Sequence, residues 1–102
     1  MTDANDDVFV IELTYEADLA AINAAIPDHL AYLDRGYADG VFLMSGRKVP
    51  RTGGVILARG ISLEEIRARA ATDPFVARGL ARMSVTRFQP NRSSSSLAST
   101  NW

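Results

Sequence analysis

The chain has 102 residues, 47% of them hydrophobic and 23% charged, with a formal net charge of −1. That length supplies one domain, that balance excludes a chain disordered over most of its length, and no apolar run approaches the roughly 18 residues of a membrane helix. The absence of cysteine excludes disulfides, thiol nucleophiles and thiolate metal sites, and the near-neutral charge gives no overall basic field for nucleic acid.

The opening stretch, Met1 to Asp7, is polar and acidic, unlike the basic-then-apolar start of a secretory signal, so a cytoplasmic location is expected. Residues 8–15 alternate, with Phe9, Ile11, Leu13 and Tyr15 on one face and Val8, Val10, Glu12 and Thr14 on the other, which predicts a strand. Residues 18–39 change period. Leu19, Ile22, Ile26, Leu30, Leu33 and Tyr37 form one stripe of a helix that Asp18 caps and Gly40 ends. Pro27 interrupts the pattern, and a kink or a restart is expected there. On this stripe Asp28 and Tyr32 point away from the core, and His29 falls at the edge, about 65° from the centre.

Val41 to Ser45 reads as a second strand, Gly46 to Gly54 as a polar connection, and Val55 to Arg59 as a third strand, together a hairpin. Ser62 and Glu65 form a capping box and Ile61 and Ile66 a hydrophobic staple, opening a helix that runs to about Thr72. Asp73-Pro74 is a second cap with a first-turn proline, and a short helix through Leu80 follows. Met83 to Phe88 is the fourth strand and Pro90 ends it. Residues 91–102, with Ser93 to Ser96 and Trp102, read as a flexible polar tail behind a single domain over 1–90. The order β-α-β-β-α-β is the ferredoxin-like α+β plan, a four-stranded antiparallel sheet with helices on one face. The strands carry apolar residues of both parities, Phe42 and Met44 against Val41 and Leu43 among them, so the second face also needs cover. A homodimer joined through sheet faces is expected.

His29 is the sole histidine and a workable proton shuttle at neutral pH, or else a boundary side chain hydrogen-bonded to a neighbour. Asp73 is explained by its cap, although a cap's carboxylate also orients a histidine where the fold brings the two together. Ser45 lies at a strand end and lacks the G-x-S-x-G elbow, since Leu43 stands where the first glycine would be. Ten of the eleven basic residues are arginine, which serves internal ion pairs and small oxyanion ligands equally well. Arg47 and Arg51 lie in the glycine-rich connection, where turn chemistry and anion binding both want glycine. One histidine without cysteine gives no metal-ligand spacing, there is no G-x-G-x-x-G fingerprint, and no cofactor is expected.

Taken together, Asp28-His29-Leu30-Ala31-Tyr32-Leu33, Leu43-Met44-Ser45-Gly46, the hairpin with its capped helix, and Asp73-Pro74-Phe75 resemble the YCII-related proteins over roughly residues 8–89. The resemblance implies a dimeric α/β barrel and a site built on a histidine and an aspartate, here His29 and Asp73. Many such proteins have proline after the Ser-Gly pair, where this chain has Arg47. A small acid–base enzyme of lyase, isomerase or dehydrochlorinase type is expected, acting on a small anionic or cyclic substrate whose oxygens Ser45, Arg47 and Arg51 bind. The alternative is a non-enzymatic ligand-binding or dimerisation module. Neither nucleic acid nor membrane is an expected partner.

Overall fold

The computed structural model describes residues 7–60 and 62–97. Strand β1 spans Asp7–Tyr15, helix α1 Leu19–Ala38, β2 Phe42–Arg47, β3 Gly53–Gly60, α2 Leu63–Ala71, the short α3 Pro74–Ala77 and β4 Ala81–Phe88. The sheet has four antiparallel strands in the order β2-β3-β1-β4. Phe9, Ile11 and Leu13 of β1 meet Ile56 and Ala58 of β3, and Ile22, Ala25, Ile66, Ala70 and Phe75 of the helices complete one core on that face. The ferredoxin-like α+β fold expected from the element order is the fold observed. Among the described residues no helix is long and apolar enough to cross a membrane.

The caps act where the sequence places them. The Asp18 side chain accepts from the Ala21 amide, Ser62 from Glu65, and Asp73 from Phe75. Gly40, at φ +74°, ends α1 in the left-handed region that side chains other than glycine seldom enter. The staple residue Ile61 and the tail end with Trp102 lie outside the described residues. Ser95–Leu97 forms a single 3₁₀ turn.

Four expectations need correction. First, α1 does not restart at Pro27. Residues on both sides of the proline, Ile22 and Ala25 before it and Tyr32 and Gly36 after it, are buried on the same sheet and hold one helix through it. Second, the buried row of α1 is Ile22, Ala25, Tyr32 and Gly36, and Tyr32 points inward at 2% exposure. Leu19, Leu30 and Tyr37 are 45%, 51% and 40% exposed. The buried row and these exposed residues therefore face two environments, about 110° apart at ~100° per residue, and Ala25 and Gly36 are the small residues of the core side. Gly36 shows why: a Cβ there would meet the Phe42 ring at 2.1 Å, so this turn of the helix approaches β2 too closely for a large side chain. Third, the hairpin connection is shorter than expected, because Gly46, Arg47, Gly53 and Gly54 are strand residues in which Arg47 opposes Gly54. Only residues 48–52 connect the strands, with the Lys48 amide donating to the Gly53 carbonyl at 2.9 Å. Fourth, α3 stops at Ala77 rather than Leu80.

A bulge in β2 decides what its outer half displays. Phe42 opposes Ala58, but Met44 opposes Leu57, so the register shifts between them. Residues directly opposite share a sheet face. Phe42 is thus in the core, while Met44 turns to the open face and is 55% exposed. Beyond the bulge Ser45 opposes Ile56 and Arg47 opposes Gly54, which puts both on the helix side of the sheet.

Candidate functional site

His29 and Asp73 are 44 residues apart in the chain and meet in space. α1 delivers the histidine, and the turn between α2 and α3 delivers the aspartate. His29 Nδ1–H donates to Asp73 Oδ1 at 2.8 Å, with the imidazole 14% exposed and the carboxylate 1%. The same Oδ1 accepts from the Phe75 amide at 3.0 Å, so the helix cap and the histidine partner are one atom. The imidazole lies flat on the Phe75 ring, with centroids 4.1 Å apart and planes 8° from parallel. Two contacts therefore fix the ring, an in-plane hydrogen bond and an out-of-plane stack. With Nδ1 donating, Nε2 of the neutral imidazole carries the lone pair.

The rim of this pair is a cleft of about 290 Å³ between α1 and the β2–β3 hairpin. His29, Ser45, Arg47 and Arg51 all line it, with Ile26, Leu30, Leu33, Leu13, Ile56 and Phe75 as apolar walls. The structure thus brings four of the five sequence candidates to one hollow, and Asp73 stands behind His29. Ser45 Oγ and the Tyr37 hydroxyl are hydrogen-bonded at 2.6 Å, joining β2 to the end of α1. Arg51 donates to Asn23 Oδ1 at 2.5 Å. The side chains that line the cleft include no carboxylate.

The sequence pattern gave Phe75, Tyr37 and Asn23 no part in the site. Phe75 sits in the quoted Asp-Pro-Phe run, and its position two residues past the cap was the available signal. Tyr37 and Asn23 acquire partners only through the packing of α1 across the hairpin, which leaves no local trace.

Behind the pair, the Tyr32 hydroxyl and Asp73 Oδ2 are buried without a protein partner. Burial, and then the Asp73 charge, push the Tyr32 phenol above the ordinary tyrosine range, opposed by Arg69 and Arg35. Tyr32 therefore stays a neutral donor. A buried hydroxyl with no acceptor offsets its own side chain's contribution, so Tyr32→Phe is expected to leave stability unchanged or raise it by up to ~1 kcal/mol. Urea unfolding measures this, and a loss of about 1 kcal/mol would show that the hydroxyl has an acceptor.

A four-stranded sheet, helices on one face and a polar pair at the rim define a ferredoxin-like protein with an open-ended cleft. The chain belongs to the YCII-related family, whose domain model matches residues 8–89. The solved structures that share the fold include these two. One is the 5-chloro-2-hydroxyhydroquinone dehydrochlorinase TftG from Burkholderia phenoliruptrix AC1100, in complex with 2,5-dihydroxybenzoquinone. It has a TM-score of 0.70 and 22% identity, over 80% of this chain and 93% of that one. The other is SnoaB, a cofactor-independent oxygenase from Streptomyces nogalater, with a TM-score of 0.54 and 17% identity over 90% and 99%. No match is found among curated proteins.

Proposed function

We propose that the cleft is the active site of an enzyme that moves a proton on a small, oxygenated cyclic substrate. His29 is the acid–base group and Asp73 orients it. The carrying observation is the 2.8 Å bond from His29 Nδ1 to a carboxylate that is 1% exposed. That bond selects the tautomer whose Nε2 accepts a proton, and the buried charge of Asp73 stabilises the imidazolium that results. In the proton step, a substrate O–H bond breaks and its electron pair stays on oxygen. The proton bonds to Nε2, and the oxyanion is held by the guanidiniums of Arg47 and Arg51 and the hydroxyl of Ser45. The ring itself rests on the apolar walls. The likeness to TftG, a dehydrochlorinase of a hydroxyhydroquinone, supports a ring of this size and oxygen content. The test is turnover of small polyhydroxylated rings, chlorinated and unchlorinated, by the wild-type protein and by His29→Gln. Turnover that disappears in the variant supports the assignment, and turnover at the wild-type rate overturns it.

One observation favours the non-enzymatic reading. Asp73 Oδ1 already caps α3, so the His29 bond also braces a turn. On that reading His29→Gln lowers the melting temperature, and no ring in the panel is turned over.

We also propose a second copy of this chain as the cover for the open sheet face. Met44 and Phe88 are 55% and 46% exposed there, beside half-buried Val10, Val55 and Leu57. The expected result in sedimentation at micromolar concentration is a dimer, with interfaces of this kind burying ~800 Å² per partner. A monomer would refute the proposal.

A further inference from the structure

The charges of the cleft name the ligand more closely than the proton chemistry does. Of the arginines, Arg69, Arg78, Arg82 and Arg87 are each ion-paired with a carboxylate. Lys48, next to the cleft in sequence, is paired with Glu12 at 2.6 Å. Arg35 and Arg67 also lack an ion pair among the described residues, but Arg47 and Arg51 are the arginines that line the cleft. The Arg47 side chain has no ion pair or hydrogen bond among the described residues, and that of Arg51 is held by the neutral carbonyl of Asn23. The lining that surrounds them has no acidic side chain. Two positive charges therefore face one hollow uncompensated, which disfavours an empty or neutral occupant and favours an anion.

The remaining lining narrows the anion. Ile26, Leu30, Leu33, Leu13 and Ile56 give an apolar wall, so the ligand has an apolar body as well as a charge. A volume of about 290 Å³ is at the lower limit of small-molecule pockets (~300 Å³) and admits a single ring. A phosphate would call on helix N-termini and their free amides. Here the starts of α1 and α3 are filled by their own carboxylates, Asp18 and Asp73. What is left for recognition is the planar guanidinium fork, which matches carboxylate and phosphate alike in bidentate fashion, and without free helix amides to share a second charge the singly charged, planar carboxylate is favoured.

We propose that the cleft binds a single-ring carboxylate, with the acid group held by Arg47 and Arg51 and the ring directed toward His29. This rests on the reading of the cleft as the substrate site. The bulge in β2 is the structural device behind it, because in an unbroken strand Arg47 would fall on the open face.

The experiment is calorimetric titration with 2,5-dihydroxybenzoate, its carboxamide, and phenyl phosphate. The acid is expected to bind about 10-fold or more tightly than the amide, one charge-assisted contact being sufficient for that ratio, and the preference should shrink with added salt. Arg47→Gln removes no side-chain contact, so it should fold normally; with Arg51 still in place it should reduce the preference for the acid several-fold, weakening acid binding more than amide binding. Arg67→Gln, an exposed arginine on α2 outside the cleft, should keep the preference and reports any effect of net charge alone. Equal binding of acid and amide, no binding of the acid at millimolar concentration, phenyl phosphate binding more tightly than the acid, or a preference undiminished in Arg47→Gln would each overturn the proposal. His29→Gln separates the two readings. If it keeps the acid preference and no turnover depends on His29, the proton-transfer reading fails and this one stands. If His29-dependent turnover of neutral rings occurs with no acid preference, this one fails and the other stands.

Discussion

Replacing His29 with Gln is expected to lower kcat by about 10²–10⁴-fold on any substrate the wild-type protein turns over, the usual contribution of a positioned acid–base group. Glutamine keeps a donor within reach of Asp73 but cannot accept and return a proton. It also cannot reproduce the flat stack on Phe75 at 4.1 Å, so a stability loss of about 1–2 kcal/mol accompanies the kinetic effect. The companion variants divide the roles of Asp73. Asp73→Asn retains a side-chain oxygen that caps α3, and Asn is as good a cap as Asp. It loses the charge that stabilises the imidazolium and no longer selects one tautomer. Its fold should therefore persist while kcat falls almost as far as in His29→Gln. Asp73→Ala removes the cap and leaves a half-buried imidazole N–H without its acceptor, and about 2–4 kcal/mol of stability should be lost. Kinetics and urea unfolding on the three variants give the pattern. An Asp73→Asn enzyme with undiminished kcat would show that the carboxylate serves the helix alone.

Gly53→Ala should be the most damaging small substitution in the hairpin. A Cβ at Gly53 would lie 1.8 Å from the Leu13 carbonyl oxygen and 2.8 Å from its carbon. Both are backbone atoms of the central strand β1, so no side-chain rotation relieves the clash. Either β3 lifts away from β1 at its start or β1 distorts. In the first case the Thr14–Gly53 pairing and the bond from the Tyr15 amide to the Thr52 carbonyl, 2.9 Å, are lost together. A cost of about 3 kcal/mol or more follows, and in a domain of this size that lowers the melting temperature by roughly 12–24 °C. The same shift displaces Arg51 and Gly54 from the cleft wall, so ligand binding should weaken as well. Gly46→Ala is the control: it lies on the facing strand with nothing within 4 Å of its added Cβ, and an effect within about 0.5 kcal/mol is expected. If Gly53→Ala melted with the wild-type protein, the close approach of β3 to Leu13 would be disproved.

The origins of the site divide by the range of the interactions that build it. Caps are local, so Asp18, Ser62 and Asp73 were legible with their roles, each accepting from an amide two or three residues on. Strand alternation is local too, and it groups Phe9, Ile11 and Leu13 on one face, the face that lies buried. The orientation of α1 was misread because hydrophobic periodicity weights Leu19, Leu30 and Tyr37 by their transfer energy. The packing instead chose Ala25 and Gly36, which allow the helix to approach the sheet. Tyr32 followed them inward, and His29 with it, between the core row and the cleft.

By itself, then, the sequence determined the order of elements, the helix starts, the residues of β1 that share a face, and the short set of side chains able to do chemistry. Period, capping and turn chemistry operate within a few residues, and that is enough for each of these. Only the tertiary structure decided that Asp73 Oδ1 serves His29 as well as its own helix, and that a bulge in β2 turns Ser45 and Arg47 toward the cleft. It also decided that the hydroxyl of Tyr32 ends up beneath the pair without an acceptor. A one-residue change of register reverses which face every later side chain occupies, and a contact across 44 residues depends on how α1 settles on the sheet. Neither quantity is encoded in any short stretch of the chain, so the cleft exists only once the whole sheet has closed under its helices.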